Sequence, residues 1–126
     1  MNTLLAIAAG GATGAVMRHG YAVLVMKMFG NGFPYHTLAV NIIGSFLMGV
    51  LIVVFAQIWQ PPAEMRAFLI TGFLGAFTTF SAFSLDVSVL YERGDMMLSG
   101  LYIAVSVGGA VLALFAGMAL VRGIVA

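Results

Sequence analysis

Cysteine is absent from the 126 residues and charge is scarce, with five Lys and Arg, four Asp and Glu, and only 7% charged positions. Without thiols there are neither disulfides nor thiolate metal sites. Soluble domains carry roughly 25% charged residues, so this chain has too few to cover a surface facing water. A net charge of +1 leaves no electrostatic footprint for nucleic acid. What fills the chain is apolar: 63% of positions are hydrophobic, the composition of an integral membrane protein. No basic stretch follows Met1-Asn2, and the first apolar run is too long for the core of a cleavable leader, so none is expected.

Four apolar segments follow one another, at residues 3–29, 36–59, 67–91 and 98–121. Each meets the requirement of about 20 residues for crossing a bilayer as a helix. The connections are short: 30–35 contains Asn-Gly and a proline, 60–66 contains Pro61-Pro62, and 92–97 carries Glu92, Arg93, Gly94 and Asp95. Proline at 61 and 62 is expected to end the second helix. Short loops make consecutive helices antiparallel neighbours. The expectation is an all-α membrane protein, one domain over 1–126, with four transmembrane helices and both termini on one side.

Lys and Arg do not decide its orientation. The terminal face holds Arg66 and Arg122 and the opposite face Lys27 and Arg93, while Arg18 falls inside the first span. A tie under the positive-inside rule predicts weak orientation bias. If the chain inserts both ways round, an antiparallel homodimer is the natural assembly.

Small residues recur four apart at Gly10 and Gly14, Gly11 and Ala15, Ser45 and Gly49, and Gly109, Ala113 and Gly117. Such faces let helices approach closely in lipid, and helix packing accounts for nearly all of them. Polar residues are fewer. Thr37, Asn41 and Ser45 make a stripe at i, i+4, i+8 on the second span, and Tyr102 and Ser106 a sparser one on the fourth. Alone, the Asn41 stripe reads as interhelical hydrogen bonding.

Residues 72–84, Gly-Phe-Leu-Gly-Ala-Phe-Thr-Thr-Phe-Ser-Ala-Phe-Ser, are different. They place Thr78, Thr79, Ser81 and Ser84 among phenylalanines in the middle of the third span, with Gly72 and Gly75 able to permit a break. Phe77, Phe80 and Phe83 would form a stair on one side if the segment were helical. Irregular backbone at bilayer depth persists only inside protein or along a cavity, and broken helices at the midplane offer free carbonyls and amides to ions. The hydroxyls either satisfy backbone freed by the break or line a path. Only Asp86 is acidic within a span, which disfavours a proton-coupled carrier of cations. Amides, hydroxyls and aromatic edges, positive at the rim, suit a small anion that must shed water and still leave.

Three motifs resemble the Fluc, or CrcB, family of small bacterial fluoride channels along essentially the whole chain. They are Gly-Gly-Ala-Thr-Gly-Ala-Val-Met-Arg at 10–18, Thr-Leu-Ala-Val-Asn-Ile-Ile-Gly-Ser at 37–45, and the segment 72–84. The resemblance implies a dual-topology antiparallel homodimer with two parallel pores, exporting fluoride across the bacterial inner membrane. By the same resemblance, Phe80 and Phe83 are ring-edge fluoride ligands contributed from the two subunits, Asn41 is the pore amide, and Thr79 and Ser81 belong to the same pathway. Gly75 and Thr78 supply backbone carbonyls to a central structural sodium ion. Arg18 lies in the vestibule, and Tyr102 and Ser106 lie on a polar track.

The chain departs from the family pattern at Ala82, usually Thr, and at Ala110, where some members have Ser. Either change removes a hydroxyl. His36 stands where Gly is common, a difference expected to concern only a loop. The main alternative, a small dual-topology multidrug exporter coupled to protons, needs a glutamate in the membrane, usually in the first helix, and residues 3–29 contain no acid. A non-transporting assembly subunit explains the glycines but not the hydroxyls of the third span.

Overall fold

The structure is a computed structural model and describes residues 2–30 and 32–125. No strand occurs among them. The helices are α1 (Asn2–Phe29), α2 (Tyr35–Gln57), α3 (Ala63–Arg66), a π-helical stretch (Ala67–Leu74), α4 (Gly75–Phe77), α5 (Ser81–Glu92) and α6 (Met96–Val125). Three stretches are long and apolar enough to cross a membrane: Tyr35–Gln57, Ala63–Glu92 and Met96–Val125. At 1.5 Å per residue α1 is about 42 Å long, enough to cross a bilayer. Arg18, His19 and Lys27 dilute its apolarity, however, and it is not among the three.

Helix ends follow local chemistry. Gly30 and Gly94 adopt φ of 76° and 85°, the left-handed conformation that closes helices at little cost only for glycine. The Gly30 amide donates to the Met26 carbonyl at 2.8 Å, and the Asp95 amide to the Leu90 carbonyl at 3.1 Å. α2 stops at Gln57, before the expected residue 59, because the amides of Ile58 and Trp59 both turn back to the Val54 carbonyl at 2.9 Å. Pro61 has no amide hydrogen for the Gln57 carbonyl four residues earlier, so the helix cannot run on through it. Pro62 precedes α3, where its carbonyl accepts from the Arg66 amide at 3.1 Å.

Two close crossings organise the packing. α2 lies along α6, and α1 lies along the π-helical stretch. A Cβ on Gly49 would collide with the Leu114 carbonyl, and one on Gly117 with the Phe46 carbonyl. Gly10 and Gly14 meet the carbonyls of Phe68 and Phe73 in the same way. The small-residue pairs thus serve backbone-to-backbone contact, the source of helix association where lipid removes the hydrophobic drive. Gly72 belongs here too, against Ile7 and Gly10, and not at a break.

Candidate functional site

Helical order ends at Phe77 and resumes at Ser81. The change of course is made by Thr78, which is extended at φ −88°, ψ 158°, while Gly75 keeps helical angles. Its hydroxyl still donates to the Leu74 carbonyl at 2.8 Å, beside its own amide at 3.0 Å. The next residue is held from outside. The Thr79 amide donates to Asn41 Oδ1 at 2.8 Å, and Asn41 Nδ2 donates to the Thr79 carbonyl at 2.9 Å. The Thr79 hydroxyl then accepts the Ala82 amide at 3.0 Å, capping the start of α5 as Thr does at helix N-termini.

These bonds have an arithmetic consequence. In an unbroken α-helix the amide of 79 would serve the carbonyl of 75, and the amide of 82 the carbonyl of 78. Both donors have gone elsewhere, to Asn41 and to the Thr79 hydroxyl. The carbonyls of Gly75 and Thr78 are thereby released from helical pairing. They are hard oxygen donors of the kind that alkali and alkaline-earth cations take. Among the described residues no cluster of three His, Cys, Asp or Glu offers a competing metal site.

Asn41, Thr78, Thr79, Phe80, Phe83 and Ser106 line one cleft of about 250 Å³ between the break, α2 and α6. The two rings lie 5.5 Å apart, tilted by 48°, but their surroundings differ sharply. Phe83 is 7% exposed and packs on Tyr102 at 5.2 Å, whereas Phe80 is 76% exposed. Phe77 is excluded from the expected stair: the break separates it from the other two rings, and it stacks on Phe73 at 5.8 Å. Asn41 has two amide protons and gives one to Thr79, so one remains for the cleft. Ser106 Oγ is buried with no hydrogen-bond partner among the described residues.

A second cavity of about 250 Å³ adjoins the first through Thr79, and is lined by Arg18, His19, His36, Thr37 and Ala82 among others. The structure thus brings Asn41, Thr78, Thr79, Phe80, Phe83 and Ser106 together and sets Arg18 one cavity away. Ser81 lies at the rim, its hydroxyl 3.4 Å from that of Thr79. Tyr102 lines neither cavity: it is fully buried, and its hydroxyl donates to Asp86 at 3.1 Å. The sequence alone does not pair them, although Asp86 is the one acid within the apolar segments and Tyr102 carries a hydroxyl that needs a partner when buried. His36 is not in a loop, as expected, but on the first turn of α2. His19 was passed over altogether.

A family model described as CrcB-like protein, Camphor Resistance (CrcB), matches residues 5–118. This chain belongs to the CrcB-like family. Its relatives include a protein of Rhodospirillum centenum, 50% identical over 126 residues and covering the whole of both chains. One of Cereibacter sphaeroides is 52% identical over 123 residues, covering 98% of this chain and 97% of its own. One of Rhizobium etli is 47% identical over 121 residues, at 96% and 97% coverage. All three are named fluoride-specific ion channel FluC. In this CrcB-like chain the two alanines stand at the walls of the two cavities, Ala82 in the second cavity and Ala110 in the cleft.

Proposed function

We propose that the chain is a fluoride-selective passive channel. One observation carries the reading: neutral donors and aromatic rings converge on a single cleft at an interrupted helix, in a chain whose relatives bear the name of fluoride-specific ion channels. The cleft holds a free amide proton of Asn41, the hydroxyls of Ser106 and Thr79, and the rims of Phe80 and Phe83. An anion passing there exchanges water for weakly positive edges and hydrogen-bond donors. No lysine or arginine lines the cleft, so the anion is not held by a full charge and leaves readily.

In this reading α1 is a fourth span beside the three apolar ones, and the third is broken at residues 78–80. Two copies of this one-domain subunit assemble antiparallel in the bacterial inner membrane. Phe80, exposed in one subunit, then meets the other subunit and completes one of two pores, with Phe83 as its counterpart ligand. The carbonyls of Gly75 and Thr78 suit a sodium ion shared between the copies, which would fasten the two breaks together. Arg18 attracts anions at the entrance, and Ser106 continues the polar track in the cleft, with Tyr102 buried behind it on the same helix.

Purified protein in fluoride-loaded liposomes tests this. Efflux should be passive and electrogenic, accelerated when a potassium ionophore relieves the charge build-up, and negligible with chloride. Absence of fluoride flux, or flux that requires a proton gradient, overturns it in favour of a coupled carrier.

A further inference from the structure

Arg18, His19 and His36 converge on one cavity from two helices. α1 contributes the first two and α2 the third. The Nε atom of Arg18 is shielded and has no hydrogen-bond partner among the described residues. The cavity shares Thr79 as a wall with the phenylalanine cleft. His36 also lines a smaller cavity of about 150 Å³, together with Asp86 of α5 and Arg93, which follows the end of that helix. Asp86 accepts a hydrogen bond from the buried Tyr102 of α6 at 3.1 Å. His36 is therefore the wall common to both cavities.

We propose that Arg18, His19 and His36 form an anion-concentrating vestibule whose strength is graded by histidine protonation. This rests on the channel reading and deepens it. Imidazole is the side chain whose ordinary charge change falls near neutral pH. With both histidines neutral, Arg18 and Arg93 outweigh Asp86 by a single positive charge; protonation of both adds two more. A proton on His36 acts in the same direction on either side. Toward Arg18 it adds to the positive field, and toward Asp86 it offsets the negative one. The ligand class is a small monovalent anion on its way to the cleft. Arg18 supplies the constant attraction and the histidines the variable part. Charges at a few ångströms in a near-aqueous setting raise the local anion concentration by a factor of about three each, and added salt screens the effect.

The test is fluoride current through the full-length protein in planar bilayers, with identical solutions on both sides. Between about pH 7.5 and about pH 5.5, the span over which histidine titrates, current should rise severalfold at low ionic strength and less at high. In His19→Gln with His36→Gln the ratio of the currents at the two pH values should fall to about one, whatever the absolute current. His36→Arg should hold the current high at both values. A wild-type current indifferent to pH, or a rise that persists in the double variant, overturns the proposal. NMR titration of the histidines with and without fluoride separates this from the channel reading. If no current flows but fluoride favours the protonated imidazoles, the channel reading fails and the vestibule stands; imidazoles indifferent to fluoride overturn the vestibule whatever the current.

Discussion

Phe80 and Phe83 are neighbours in one cleft but carry different structural weight, and substitution should separate ligand from packing. Phe80 is exposed within the subunit, so Phe80→Ile is expected to shift subunit stability by less than about 0.5 kcal/mol while sharply reducing fluoride flux. Phe83 packs on Tyr102, so Phe83→Ile should lose flux and also about 1–3 kcal/mol of packing. Thermal unfolding in detergent read beside liposome efflux distinguishes the two, and equal destabilisation by both would show that Phe80 serves only packing. Asn41 forms both of its bonds to the main chain of Thr79. Asn41→Ala leaves the part-buried amide and carbonyl of Thr79 without their partner, at up to about 1–3 kcal/mol for each group that water does not reach. The expected outcome is a lower unfolding midpoint together with loss of flux; an unchanged midpoint would mean that the break holds itself.

Among the elements, the interrupted stretch Ala63–Glu92 depends on bonds that a Thr79→Val substitution divides. Valine keeps the main-chain link to Asn41 and removes the hydroxyl that caps Ala82. The cost should be about 1 kcal/mol, the usual worth of a cap, visible as earlier hydrogen exchange in the first turn of α5. The α2–α6 crossing is less forgiving. Gly117→Val drives a side chain into the Phe46 carbonyl and should cost 1–3 kcal/mol or more, read as loss of monodisperse protein; normal recovery would show that the helices can part without penalty. The helices, their packing glycines and the meeting of polar residues at 72–84 were legible because apolar length, small-residue spacing and misplaced hydroxyls are each local signals. The position of the break was not. Gly72 and Gly75 carry the flexible backbone, yet Thr78 is the extended residue, because bonds to a side chain 38 positions earlier decide where the helix yields. Local sequence holds no record of that partner. The same limit hid His19 and the second role of His36, which appear only when α1 and α2 are placed side by side.

For the whole molecule, the tie between Arg66 with Arg122 and Lys27 with Arg93 makes orientation sensitive to small changes. Replacing Glu64 and Gln60 by lysine loads the terminal face, and cytoplasmic placement of that face should then predominate. If function needs subunits of both orientations, flux falls with the bias and returns when an oppositely biased variant is co-expressed. Because the chain contains no cysteine, a single introduced thiol reports sidedness directly; labelling of wild type from one side only would end the dual-topology reading. Asn41 holds Thr79 by its amide and carbonyl, groups that every residue except proline possesses. The grip is thus indifferent to which side chain stands at 79. Over evolutionary time a lineage can trade the side chain at 79 for any but proline without first repairing position 41, whereas 41 is held to a residue that both donates and accepts.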